Sequence, residues 1–223
     1  MTVDKLVERV DALSFLCHTI GMNTTQNMID IDQLTLEDLS SALYQKMEKL
    51  GFTKGTDKTK WREPVMAEKL GHIAHTKISA GKGKDEYGSD ATTENGHAEY
   101  KTKTLSDKDL NNLLERAYGK KKQRNYAPLT VSGVYNGYNS NYETASVEYA
   151  KIEHYFGVFY KEKCVLIIKV NTDHVMNSLN ANYEAYKKKG TGTTNLNTVT
   201  VNLADTHLYT IAHKDQEFYD SQR

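Results

Sequence analysis

The stretch Tyr87-Gly-Ser-Asp90-Ala-Thr-Thr-Glu-Asn-Gly-His-Ala-Glu99-Tyr-Lys101-Thr decides how this chain is read. Asn95-Gly96 is the pair a type I′ turn prefers, so residues 87–93 and 97–104 are expected as two short antiparallel strands. With that turn, Glu94 faces His97, Thr92 faces Glu99 and Asp90 faces Lys101. Opposed residues lie on one side of a sheet, and side chains alternate along a strand. Asp90, Glu99 and Lys101 therefore share one face. Ala91, Ala98 and Tyr100 share the other, which is apolar enough to pack on a core.

Two carboxylates and an ammonium on one patch have a chemical use. Neighbouring carboxylates repel unless a cation lies between them. Mg²⁺ takes hard oxygen ligands and leaves positions for substrate phosphate and water. A lysine beside such a centre can orient the attacking water and stabilise the oxyanion that develops on phosphorus. The expectation is a Mg²⁺-dependent phosphodiesterase centre with Asp90 and Glu99 as metal ligands. A surface hairpin with an ordinary cross-strand ion pair is the plainer alternative.

Working outward, the period of the apolar residues supplies the remaining elements. Val3, Leu6, Val7, Val10, Leu13, Cys17 and Ile20 predict a helix over 2–20. Thr35 with Asp38 reads as a capping box opening a helix to Leu50. A third helix runs from Trp61 to Leu70, with Pro64 in its first turn and Gly71 closing it. Ile73–Ile78 is a candidate strand. Ser106 and Asp109 open a helix carrying Leu110, Leu113, Leu114 and Ala117. Strands follow at 129–135, 155–160 and 164–170, with a helix from Asp173. Residues 196–203 and 207–213 look like a final strand pair. Helices followed by mixed strands and helices make the expected class α+β, a mixed central sheet flanked by helices. The expected division is an N-terminal helical region, 1–50, and a catalytic domain, 51–223.

Composition narrows the partners less than the distribution of charge does. The 29 basic and 29 acidic residues balance, so DNA is not announced by net charge. Residues 51–84 and 101–124 nevertheless each carry eight basic against three acidic side chains, and DNA meets only a face. Lys82 and Lys84 in one Gly-rich loop, and Lys120, Lys121, Lys122 and Arg124 in another, are candidate phosphate contacts. Asn136, Tyr138, Asn139 and Asn141 lie in a polar stretch without period and are candidate base readers. Cys17 and Cys164 read as buried thiols. No apolar run approaches a membrane span and no leader pattern opens the chain, so the expected location is cytoplasmic. His72 and His75 lack a third soft ligand nearby, which argues against zinc.

The Asp90 … Glu99-Tyr-Lys101 pattern resembles the PD-(D/E)XK nuclease superfamily, and within it the type II restriction endonucleases. Asp90 matches the metal aspartate at the end of the second core strand, and Glu99-Tyr-Lys101 the (D/E)XK element on the third. The resemblance covers roughly residues 61–170. The strand after residue 129 is consistent with the fourth core strand. Ser89 stands where the family has proline. The resemblance implies Mg²⁺-dependent hydrolysis of double-stranded DNA to 5′-phosphate ends. It also implies a further acid on a helix before the first strand: Glu63, on the stripe of Met66, Ala67 and Leu70, is favoured over Glu68. One such centre cuts one strand, so a homodimer matching a palindromic site is expected. A repair or junction-resolving nuclease, and a non-catalytic DNA-binding or structural protein, remain as alternatives.

Overall fold

The computed structural model describes residues 34–39, 41–42, 59–75, 89–118, 129–189 and 197–222. The chain divides into two compact units, Met1–Asp57 and Lys58–Arg223. In the first, the Thr35 hydroxyl accepts the Asp38 N–H at 3.1 Å, and Asp38 Oδ2 accepts the Thr35 N–H at 3.1 Å. That is the reciprocal capping expected there, and residues 36–39 and 41–42 are helical. The helix expected over 2–20, with Cys17, lies outside the described residues.

The second unit is α+β. Its elements are α1 (Thr59–Leu70), β1 (Ile73–Ala74), β2 (Ala91–Thr93), β3 (Gly96–Thr104), α2 (Asp107–Tyr118), β4 (Thr130–Val134), α3 (Tyr142–Tyr149), β5 (Glu153–Tyr160), β6 (Lys163–Val170), α4 (Thr172–Lys189), β7 (Thr198–Asn202), β8 (Tyr209–Lys214) and α5 (Gln216–Ser221). A six-stranded sheet runs β1-β2-β3-β5-β6-β8, and β4 pairs with β7 in a second, two-stranded sheet. β1, β2 and β3 form an antiparallel meander. After the α2 crossover, β5 lies parallel to β3, and β6 and β8 extend the sheet antiparallel. A parallel neighbour needs such a crossover, because a tight turn can only reverse the chain.

Three expectations are corrected here, and one element is added. The strand after residue 129 is not the neighbour of β3; that place belongs to β5, whose run Glu153–Tyr160 is buried on both faces. The last two strands do not pair with each other, since β7 joins β4 and β8 joins β6. α1 begins at Thr59, so Pro64 stands inside the helix rather than in its first turn. α3 falls where the sequence assigned no element; only Ala145 and Tyr149, four apart, are buried on it, too thin a stripe to register as a period.

The hairpin register also shifts. Thr93 pairs with Gly96, Thr92 with His97 and Ala91 with Ala98, so the loop is Glu94–Asn95. Asn95 does not take the positive φ of a type I′ turn; Gly96 does, at +132°, and the Thr93 hydroxyl accepts the Asn95 N–H at 3.1 Å. The pairing slides by one residue on one strand and one on the other. Parity is thereby preserved and every side chain keeps its face.

Each face of the sheet carries its own core. On one, Ala91, Ala98, Tyr100, Tyr155, Phe159, Cys164 and Ile167 pack under Val65, Met66 and Ala67 of α1. Gly157 lets the helix approach, since a Cβ there would overlap the Met66 thioether and lie 3.1 Å from its Cγ and Cε. On the other face Phe156, Val158, Ile168 and Val170 pack with Val131, Tyr135, Tyr149, Leu110, Leu113, Val175 and Leu179. The second capping box holds at α2, where the Ser106 hydroxyl accepts the Asp109 N–H at 3.2 Å.

Candidate functional site

The paired register of β2 and β3 ends at Ala91–Ala98, and Asp90 stands just before β2, beside Ala98 and not opposite Lys101. The ladder bond is made by the Asp90 N–H donating to the Ala98 carbonyl at 2.7 Å. The Asp90 side chain then continues it: Oδ2 accepts the Tyr100 N–H at 2.7 Å. His75 donates its N–H to the Asp90 carbonyl at 2.8 Å, fixing this residue from the β1 side as well. The carboxylate is thus held just before β2 by the Tyr100 N–H of β3.

Glu99 and Lys101 project from β3 away from α1. Asp90 and Glu99 are both buried, 7% exposed each. The Lys101 ammonium donates to Glu99 Oε1 and lies 4.7 Å from the centre of the Tyr135 ring. Its stem crosses β4 at Gly133, where a Cβ would overlap Lys101 Cγ and come within 2.7 Å of Cβ and 2.9 Å of Cδ. Glycine is required by that close approach, not by backbone conformation.

Beneath the carboxylates lies a polar group the sequence reading passed over. His154 stands beside Glu99 in the β3–β5 register and is fully buried. Its Nε2 is 2.9 Å from the Tyr149 carbonyl, and its Nδ1 is 3.1 Å from the Tyr135 hydroxyl. A carbonyl only accepts, so Nε2 carries the proton; Nδ1 of the neutral ring then accepts, and Tyr135 donates. Burial, with Lys101 nearby, lowers the His154 pKa to about 4. Burial first, and Glu99 second, hold the Tyr135 hydroxyl well above its ordinary range. The sign for stability follows. The unfolded chain binds a proton at this histidine below about pH 6.5, whereas the folded chain resists until about 4. Stability is full above pH 6.5 and falls by roughly 3 kcal/mol as pH drops to 4. Urea midpoints of wild type and His154→Gln should therefore converge as pH falls across that window. Parallel curves would refute the assignment.

The remaining expected site residues divide. α1 packs on the Ala98–Tyr100 face through Val65, Met66 and Ala67. Glu63 is half-buried on its helix and Glu68 is exposed. Tyr138 and Asn139 are corrected as base readers. Tyr138 is fully buried and donates to Asn180 Oδ1 at 2.8 Å. Asn139 Oδ1 accepts from buried Asn197 at 2.9 Å. Both turn inward because the loop after β4 must tie to α4 and β7. Asn136 and Asn141 are exposed, and Asn141 precedes α3 with its amide on the Gly137 carbonyl at 3.3 Å. Lys82, Lys84, Lys120, Lys121, Lys122 and Arg124 lie outside the described residues. His97 shares the face of Glu99, with its ring 5.8 Å from that of His75.

His154 had one legible signal: a lone imidazole directly before the apolar run Tyr155–Tyr160. Tyr135 and Tyr149 had none, since their meeting depends on β4 crossing β3.

Comparison with protein-family models, curated proteins and solved structures finds no match. Among the described residues no helix is long and apolar enough to cross a membrane, and no group of three or more His, Cys, Asp and Glu could together hold a metal ion. Cys164 is buried.

Proposed function

We propose that this protein is a Mg²⁺-dependent endonuclease that hydrolyses phosphodiester bonds of double-stranded DNA at a specific sequence. The observation that carries the reading is two buried carboxylates on neighbouring stretches of chain: Asp90, bonded to the Tyr100 N–H of β3, and Glu99, contacted by Lys101. The resemblance of Asp90 … Glu99-Tyr-Lys101 to the PD-(D/E)XK pattern supports it. So does the order of helix, meander, helix and parallel strand around it.

The residues fit the metal by their chemistry. Asp90 and Glu99 offer hard oxygen donors side by side, and two protein carboxylates are the set Mg²⁺ takes when phosphate and water complete its shell. When bound, Mg²⁺ would polarise the scissile phosphate and lower the pKa of a nearby water. The chain's own part is positional. The Tyr100 N–H and the β2–β3 ladder hold Asp90, while Lys101 holds Glu99 and presents a positive charge where the pentacovalent oxyanion develops. Burial of these groups strengthens each charge interaction. Two copies related by a two-fold axis would cut both strands of a palindromic site.

The test is cleavage of long linear duplex by the purified protein with Mg²⁺. A discrete ladder, with two chains per short cognate duplex in sedimentation, is the expected result. Smearing at every dose would remove sequence specificity. Inertness with Mg²⁺ and Mn²⁺ on many DNAs would remove the enzyme. Strong preference for branched DNA would favour a repair or junction-resolving role.

A further inference from the structure

We propose that Tyr135, held from behind by His154, is the positioning residue for the Lys101 ammonium. The inference rests on the reading of Lys101 as part of a nuclease centre, and it adds a residue that reading did not contain.

Lys101 has four flexible carbons and would ordinarily sample many rotamers. Here its stem runs through the gap left by Gly133, and its head lies over the Tyr135 ring, two residues further along the same strand direction. The ring face is the negative side of the aromatic quadrupole and attracts the ammonium at this range. A ring does this only if it cannot swing away. Tyr135 is fully buried, and its hydroxyl is committed as a donor to His154 Nδ1. His154 is in turn committed as a donor to the Tyr149 carbonyl at the end of α3. Each link has one possible direction, because a carbonyl cannot donate and a singly protonated ring has one acceptor. The chain of contacts from Tyr149 through His154 and Tyr135 leaves Lys101 one direction to point, toward Glu99. Tyr149 packs edge-on against the Tyr135 ring at 5.1 Å and closes the remaining side. Tyr135 is fully buried, so it acts through Lys101.

The test has two readouts, one independent of DNA. In protein labelled with ¹³C-lysine, the Lys101 Cε–Hε resonance, assigned by its loss in Lys101→Arg, should be shifted upfield by the ring beneath it. Tyr135→Leu should move it to the position of solvent-exposed lysines. Tyr135→Phe keeps the ring but frees it from His154, and should give an intermediate, broadened resonance. In Mg²⁺-dependent cleavage, Tyr135→Leu should lower kcat by roughly 100-fold, the order expected when a reacting group is displaced by about an ångström, with KM for DNA little changed. Tyr135→Phe should lose roughly tenfold on the same scale. A folded Tyr135→Leu protein with the wild-type Lys101 resonance and kcat overturns the proposal. Should that variant not fold, Tyr135→Phe decides, and an unchanged resonance overturns it equally. If the wild-type protein cuts no DNA, the nuclease reading falls, while the resonance still decides whether Tyr135 positions Lys101.

Discussion

Lys101→Ala is expected to lower Mg²⁺-dependent cleavage by roughly 10²–10³-fold, the usual loss when one donor to a developing oxyanion is removed. DNA binding should be largely retained, because a half-buried ammonium committed to Glu99 and the Tyr135 ring is one phosphate contact at most. The same substitution has a second consequence. It takes a positive charge from beside two carboxylates that are each 7% exposed. Without metal, the repulsion between Asp90 and Glu99 is then less compensated, and the folded state should weaken. A divalent cation that binds only the folded state restores stability by mass action. Mg²⁺ should therefore raise the melting temperature of Lys101→Ala more than that of wild type. Melting curves in EDTA and in Mg²⁺ for both proteins provide the measurement. Equal cation effects would argue that Asp90 and Glu99 do not hold the metal, whatever the fate of cleavage.

The largest effect on stability is expected at Arg62. Its guanidinium donates from Nε to Glu162 Oε2 at 2.9 Å and from Nη2 to Oε1 at 2.7 Å. Nη1 donates to Thr104 Oγ1 at 2.8 Å, and the group lies 5.0 Å from the Phe159 ring centre. Arg62 and Glu162 are both buried, so the pair pins α1 to the end of β3 and to the β5–β6 turn. That turn is Lys161–Glu162, with φ of 46° and 65°, a conformation unfavourable for side-chain-bearing residues. The Arg62 fork offsets this strain by fixing Glu162 where it stands. Arg62→Ala should cost about 3–5 kcal/mol, the usual loss when one partner of a buried pair is removed. For a unit of this size that lowers the melting temperature by roughly 6–20 °C. Replacing both residues with apolar side chains, Arg62→Met with Glu162→Met, should recover much of the loss, since the desolvation cost disappears together with the attraction. A drop below about 1 kcal/mol for Arg62→Ala, a surface-pair value, would refute this account.

Local chemistry made much of this protein legible. The capping boxes at Thr35–Asp38 and Ser106–Asp109, the apolar strands β5 and β6 and the helix from Thr172 all follow from interactions within a few residues. The apolar side of the hairpin, Ala91, Ala98 and Tyr100, also followed from the sequence. It survived an error in the turn because alternation depends on parity and not on which residues form the loop. What required the tertiary structure was everything joined across distance. Asn-Gly favours one turn, but Gly96 and the Thr93 hydroxyl selected another, and that choice paired Ala91 with Ala98. Which strand lies beside β3 depended on where the chain returns after α2, and no periodicity encodes a return. Tyr138 and Asn139 looked like surface residues because polar loops usually are, yet Asn180 and Asn197 offered them partners inside. Tyr135, Gly133 and His154 meet Lys101 only because β4 crosses β3. Contacts between residues tens of positions apart are decided by packing, whose energy belongs to the assembled layers rather than to any one segment.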